Sequence, residues 1–235
     1  MAFAYNDPVI FLKYAVDVAA ACLERGIKTV AVTAGYICPE PRTEFFRHID
    51  AANIDLKAFT EEFYYQLCGA HLQPVLDTLV YLKNETDVWF EVTTLLIPGE
   101  NDSDAEVERL AAWFLDNLGS DVPLNFTAFH PDFKMRDKPR TPHETLLGAQ
   151  RIARAAGLNY VYVGNVHDEA GSSTYCPGCG IKVIGRDWYV LSDGRLDRAG
   201  RCTECATPVA GAFDGPPGTW GAKRQPVRLR QAATT

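Results

Sequence analysis

Residues 88 to 129 read as strand, helix and strand: Val88-Trp-Phe-Glu-Val-Thr-Thr-Leu-Leu-Ile97, then Ser103–Leu118, then Leu124-Asn-Phe-Thr-Ala-Phe129. The outer runs are rich in β-branched, aromatic and leucine residues, as strands are. The middle run opens with Asp102-Ser103 and carries acids in its first turn, the pattern of a capped helix start. The same unit recurs along the chain. Further strand candidates are Ala2–Tyr5, Thr29–Thr33, Asn53–Leu56 and Asn159–Val163, and helices are expected over Pro8–Arg25, Thr43–Ala51, Gln73–Asn84 and Thr141–Ala156. In the first helix Ile10, Tyr14, Val18 and Cys22 follow at spacing four before Gly26; the last has Thr141 as its expected cap and Pro142 at its first position. Strand starts lie about 24 to 36 residues apart, room for one strand and one crossover helix.

Regular βα alternation requires a parallel sheet, either doubly wound or closed toward a barrel. The G-x-G-x-x-G fingerprint of a dinucleotide-binding sheet does not occur in the chain. Polar residues gather instead at or just past the strand ends: Tyr5-Asn6-Asp7, Thr33, Asp55 with Lys57, Thr93-Thr94, Thr127 with His130, and Asn165 with His167. Barrels build their sites on that rim, so a barrel is the expected form.

Composition sets the class. The 235 residues are 47% apolar and 23% charged, enough for one or two ordinary folded domains. With 23 Lys+Arg against 30 Asp+Glu the net charge is −7, which disfavours wholesale nucleic-acid binding. No apolar run is long enough for a membrane helix and no signal peptide opens the chain, so a cytoplasmic, non-membrane protein is expected.

After His167 the pattern changes. A short polar stretch, Asp168–Thr174, reads as a linker, and then come Cys176-x2-Cys179, the β-rich Ile181–Leu191, the turn Ser192-Asp193-Gly194 and Cys202-x2-Cys205. The 22 residues 180–201 between the pairs match two knuckles holding one tetrahedral ion, zinc or a rubredoxin-like iron. Four thiolates close such a site, making it structural, and its metal substitutes for a core too small to fold alone. Gly180 follows the first knuckle, whereas Ala206 stands at the equivalent place in the second. Cys22, Cys38 and Cys68 stand apart and are expected as buried small hydrophobes. His48, His71, His143 and His167 suggest only surface or capping roles. The expected divisions are residues 1–166 for the barrel, 167–213 for the four-cysteine module and 214–235 for a flexible basic tail with Lys223, Arg224, Arg228 and Arg230.

Several blocks together resemble a known family. Tyr5-Asn-Asp-Pro8, Val32-Thr-Ala-Gly-Tyr36, Asn53-Ile-Asp-Leu-Lys-Ala-Phe59, Thr94-Leu-Leu-Ile-Pro-Gly99, Phe129-His-Pro-Asp-Phe-Lys-Met135, Tyr160-Val-Tyr-Val-Gly-Asn165 and the two cysteine pairs are similar to the radical SAM protein of the AmmeMemoRadiSam system, within the pyruvate formate-lyase activating enzyme-like group. The resemblance spans residues 1 to about 213. It implies a partial TIM-like (β/α)6 barrel in which a [4Fe-4S] cluster reduces S-adenosylmethionine to methionine and a 5′-deoxyadenosyl radical. By the same resemblance Asn6 and Asp7 meet the methionine amino group and Thr33 belongs to the next strand's motif. Asp55 is placed by a monovalent cation near the cofactor carboxylate, Lys57 faces the site, and His130 lies near the ribose or adenine. Memo-like and AMMECR-like proteins and an electron donor are the implied partners, with a small molecule or a protein as substrate.

One departure bears on activity. The C-x3-C-x2-C loop that ligates the cluster in the family occurs nowhere in the 235 residues, and Ala34 replaces the family's usual Asn. The expectation is therefore a barrel missing its first βα unit, inactive by itself. Two other readings stay open: a zinc-ribbon binding or scaffold protein, and a non-radical aldolase-like barrel using Lys57 as a Schiff-base nucleophile.

Overall fold

The structure is a computed structural model and describes residues 1–192 and 194–213. The expected basic tail, 214–235, and Asp193 lie outside the described residues.

Six parallel strands form one sheet: β1 (Ala2–Phe3), β2 (Val30–Thr33), β3 (Ala51–Asp55), β4 (Trp89–Leu96), β5 (Leu124–Ala128) and β6 (Val161–Gly164). Their order in space is their order in sequence, β1 through β6. Right-handed crossovers between successive neighbours put the helices that connect these strands on one face, so the sheet is singly wound, with β1 and β6 at its edges. A doubly wound sheet would reverse its order at the middle, and this one does not.

The helices are α1 (Leu12–Leu23, after a 3-10 turn Pro8–Phe11), α2 (Pro39–Phe46), α3 (Glu61–Phe63, continued as a π-turn Tyr64–Cys68), α4 (Gln73–Glu85), α5 (Asp104–Leu118), α6 (His143–Ala155) and the short α7 (Glu169–Ser172). In α5, Val107, Leu110, Ala111, Phe114 and Leu118 are buried, a stripe at helical spacing that faces the sheet. Ser103 caps it by accepting from the amide of Glu106 at 3.3 Å.

The sheet is two-faced. Toward the helices point Ala52, Ile54, Phe90, Val92, Leu96, Leu124, Phe126 and Val163, all buried. The residues between them, Asn53, Asp55, Glu91, Thr93, Asn125 and Thr127, stand half-buried on the inner face. Period-two alternation makes this separation automatic once one face is packed. A polar ladder crosses the inner face: Asn53 Nδ2 donates to Thr93 Oγ1 at 3.0 Å and to Glu91 Oε1 at 3.1 Å, and Asn125 Nδ2 donates to Glu91 Oε2 at 3.3 Å.

Several sequence expectations need correction. Helix α2 begins at Pro39, four residues before the expected Thr43, because prolines in a first turn remove only amides that lack a helical partner anyway. It ends at Phe46, since Ala51 and Ala52 are drawn into β3 by pairing with both neighbours. Thr141 does not cap α6. Buried, it donates to Leu96 O at 2.6 Å and accepts from Phe129 N at 2.8 Å, tying the ends of β4 and β5. The stretch expected as a linker contains α7, capped by Asp168, whose carboxylate accepts from Gly171 N at 2.8 Å. Cys22 is buried as expected, but Cys38 and Cys68 are exposed. The first precedes the first turn of α2 and the second closes the π-turn, both off the packed helix faces.

Beyond α7 a three-stranded antiparallel sheet, β7 (Thr174–Tyr175), β8 (Lys182–Asp187) and β9 (Val190–Ser192), leads into the second cysteine pair. Its buried cluster is small: Tyr160, Cys176, Val183, Cys202 and Val209, with Tyr160 contributed by the chain entering β6. Tyr160 Oη accepts from Ala210 N at 3.0 Å, and burial pushes its phenol above the ordinary value.

Candidate functional site

At the C-terminal ends of β1 to β3 the chain builds a compact polar corner. Asp7 follows β1 and opens the 3-10 turn, where its Oδ1 accepts from Val9 N at 3.0 Å. The same oxygen accepts from Thr33 Oγ1 at 2.8 Å, and Oδ2 accepts from Ala34 N at 2.8 Å. Three donors thus hold the carboxylate, leaving acceptor capacity for one more. Thr33 serves this corner as a positioning hydroxyl, because its side chain leaves β2 on the buried, helix-facing side. Gly35 completes the bend at φ +66°, and a Cβ there would come within 2.9 Å of Ile54 Cγ2. Asn6 is exposed beside this corner.

One strand over, Asp55 and Lys57 lie on the inner face and form an ion pair at 2.5 Å. With the lysine 39% and the aspartate 31% exposed, the pair adds little to stability. Lys57 is held through its backbone by groups that sequence reading did not single out. Its amide donates to Tyr64 Oη at 3.0 Å, and its carbonyl accepts from Asn101 Nδ2 at 2.7 Å. Asn101, 3% exposed, also donates to Leu95 O at 2.9 Å and accepts from Ile97 N at 2.7 Å. Glu106 accepts from Phe59 N at 2.7 Å. Burial pushes its carboxyl up against the opposing pull of that amide, and burial likewise pushes the Tyr64 phenol up. The available signal was Asn101-Asp102 in the turn between β4 and the capped α5; its target, 44 residues away, was not legible. His130 is exposed just past β5, on the same rim two strands from Asp55. The structure therefore joins Asp7 to Thr33 and Asp55 to Lys57, and joins His130 to neither pair.

The second site is the cysteine group. Cys176, Cys179, Cys202 and Cys205 place their sulfurs within 4.8 Å of one another. Cys176 and Cys205 are 3.5 Å apart, Cys179 and Cys202 3.8 Å. Tetrahedral zinc with Zn–S of roughly 2.3 Å needs sulfur pairs about 3.8 Å apart, so the cage is of the right size. The knuckles repeat one backbone pattern. Cys176 N donates to Ile181 O and Gly180 N to Cys176 O; Cys202 N donates to Thr207 O and Ala206 N to Cys202 O, each at 2.9 Å. Thr207 Oγ1 lies 3.2 Å from Cys205 Sγ, and donation from its hydroxyl and amide pulls that thiol down to about 6. The amide of Ile181 lowers Cys179, but burial and the three neighbouring sulfurs outweigh it and push the thiol up to about 12.

The repeated turn needs a left-handed residue at its fifth position. Gly180 supplies it at φ +74°, but Ala206 adopts φ +60° with a side chain. An L-residue there costs about 1–2 kcal/mol. Ala206→Gly is therefore expected to stabilise the metal-loaded protein by about 0.5–1 kcal/mol, net of the extra freedom of the unfolded chain; an unchanged or lower denaturation midpoint would contradict it.

Among the described residues these four cysteines are the one group of three or more His, Cys, Asp or Glu arranged to hold a metal. His71, His143 and His167 each pair with a carboxylate instead, Glu61, Asp168 and Asp187 respectively. No described helix is long and apolar enough to cross a membrane.

No family model matches the chain. An uncharacterised protein of Methanocaldococcus jannaschii is 37% identical over 210 residues, 89% of this chain and 62% of its own length. The 4-hydroxyphenylacetate decarboxylase activating enzyme of Clostridium scatologenes is 29% identical over 131 residues, 54% of this chain and 41% of its own. The chain thus spans between two fifths and two thirds of the length of these curated relatives. Among solved structures, a domain of a pyruvate-formate lyase-activating enzyme from Bacteroides vulgatus superposes with a TM-score of 0.60 at 20% identity, covering 70% of this chain and 98% of that domain. The sheet has the fold of that domain, and the relatives of named activity are activating enzymes.

Proposed function

We propose that this chain carries the S-adenosylmethionine side of a radical SAM enzyme of the AmmeMemoRadiSam type, with β1 to β5 standing as the second to sixth strands of its barrel. The observation that carries the reading is the corner around Asp7. A carboxylate held by three internal donors, with capacity for one more, suits the ammonium of a methionine moiety. Lys57, oriented by Asp55 on the inner face, offers a cation to the cofactor's carboxylate, and His130 offers the same rim a ring for the nucleoside. Together these residues orient the cofactor.

When bound to a [4Fe-4S] cluster, S-adenosylmethionine supplies radical chemistry by reductive cleavage. The described residues do not fit the cluster: their one multi-thiolate set is a closed cage of four, not three thiolates with an open iron. In this proposal the cluster's ligands come from outside the 235 residues, and the four-cysteine site holds one structural zinc or iron. Memo-like and AMMECR-like proteins, an electron donor and a cytoplasmic setting belong to the same proposal. The aldolase reading finds less support, because an ion-paired and half-exposed Lys57 lacks the apolar setting that activates a lysine.

Calorimetry with S-adenosylmethionine tests the reading. The 235-residue protein is expected to bind it, and Asp7→Asn to bind it about tenfold or more weakly, the usual worth of a charged hydrogen bond. After anaerobic reconstitution with iron and sulfide, dithionite should release no 5′-deoxyadenosine above background. Absence of binding would remove the proposal; release of 5′-deoxyadenosine would remove its account of the cluster.

A further inference from the structure

Beneath the inner face of the sheet, between β4–β6 and the four-cysteine unit, lies a cavity of about 380 Å³. It is lined at the N-terminal half of the strands, by Trp89, Glu91, Asn125 and Tyr162, and from the other side by Arg186 of β8 and by Phe213. Its volume falls in the range of small-molecule sites.

Among its described lining residues the cavity has one charge of each sign, Glu91 and Arg186, and the two are not paired with each other. Glu91 is half-buried; its two oxygens accept from the amides of Asn53 and Asn125, and no described cation forms a salt bridge with it. Arg186 is also half-buried. Its Nη1 donates to Thr174 Oγ1 at 2.6 Å and to Ser172 O at 3.3 Å, both neutral acceptors, and its guanidinium lies 5.5 Å from the centre of the Tyr162 ring. Tyr162 Oη and Thr174 Oγ1 are 3.0 Å apart, so ring, hydroxyl and guanidinium brace one another. The remaining guanidinium edge makes no hydrogen bond among the described residues. A charge half out of water with only neutral partners is stabilised most by a counter-charge. Here a fixed anion and a fixed cation both face one volume.

We propose that this cavity binds a small zwitterion of the α-amino-acid type, its ammonium received by Glu91 and its carboxylate by Arg186, with an apolar side chain against Trp89 and Phe213. A carboxylate matches the planar fork of arginine in two parallel hydrogen bonds. A phosphate compound fits less well, since one guanidinium leaves part of its charge unpaired beside Glu91. Both charged groups are held by internal hydrogen bonds before any ligand arrives, which lowers the ordering cost of binding.

The proposal needs neither cluster nor S-adenosylmethionine, so it can be tested on the metal-loaded 235-residue protein. Saturation-transfer NMR with each of the twenty protein amino acids should show binding, strongest for apolar ones. For the tightest, calorimetry with its des-amino acid and with its decarboxylated amine should show about a tenfold or greater loss for each, the worth of one charged hydrogen-bonded contact. Arg186→Gln should weaken the amino acid by a similar factor while leaving the amine analogue unchanged, Arg186→Lys should restore part of the loss, and Glu91→Gln should spare only the des-amino acid. Metal content and S-adenosylmethionine affinity should not move in these variants, which separates this site from the rim. Binding by none of the twenty, equal binding of the amino acid and its two analogues, or indifference to both substitutions would overturn the proposal.

Discussion

The parent protein is expected to purify with about one equivalent of metal, and Cys176→Ser protein to purify without it and to lose the fold of residues 174–209 while keeping the six-stranded sheet. The two cores are unequal. Among the described residues the sheet and its helices share a cluster of forty buried residues, whereas the cysteine unit's cluster has five, one of them Tyr160 from the chain entering β6 and two of them the cysteines Cys176 and Cys202. Structural zinc sites contribute roughly 10–16 kcal/mol of binding free energy, and in a unit this small that energy is its folding energy. Replacing one thiolate leaves three soft ligands and a hydroxyl that zinc does not favour. Elemental analysis reads the metal, and amide exchange at Val183 and Val209 against Val92 and Phe126 reads the two cores separately. Full metal retention by Cys176→Ser would refute the site; loss of exchange protection throughout the sheet would refute the independence of the two cores.

Asn101→Ala should lower the stability of the sheet by about 3–4 kcal/mol, since it strands the Ile97 amide and two carbonyls, each worth about 1–3 kcal/mol when buried without a partner. Among the described residues few side chains satisfy so much backbone. Asn101 closes the turn after β4 upon itself and reaches across to Lys57 O, so the substitution should also loosen the Asp55–Lys57 pair. Urea denaturation gives the stability, and the amide of Lys57, which donates to Tyr64 Oη, should exchange faster. A change below about 1 kcal/mol would mean that water replaces the side chain without cost, and that Asn101 is not what holds the lysine.

Where local signals and tertiary pairing agree, the sequence was readable. All six strands were expected within a few residues, because each carries its own apolar run and most of the helices between them carry a stripe or a cap. The cysteine cage was equally legible, since two C-x-x-C pairs define their chemistry by spacing. What escaped is non-local. Thr141 looks like a cap in a one-dimensional reading because Pro142 follows it; only the adjacency of β4 and β5 turns it into a latch. Helix α3 had a cap in Thr60 and acids in its first turn, but its eight residues with the π-turn carry no clear stripe. Asn101 holds Lys57 from 44 residues away and Glu106 holds Phe59 from 47, whereas Tyr64 is 7 residues from Lys57, the one separation of the three within reach of a pattern. Glu91 and Arg186 line one cavity from two different sheets, and neither sits in a motif.

The two-faced sheet has a consequence for how such a protein can change over generations. On the helix side every residue of β3 to β5 is committed to a neighbour's volume, so a substitution there must be answered by another. On the inner side the same strands present Asn53, Glu91, Thr93 and Asn125 to one another and to solvent through exchangeable hydrogen bonds, where a new side chain disturbs a contact but not a core. Alternate residues of a single strand therefore live under different rules, one set conserving the architecture and the next free to acquire a different ligand. A lineage built on this sheet could exchange what it recognises without first relearning how to fold.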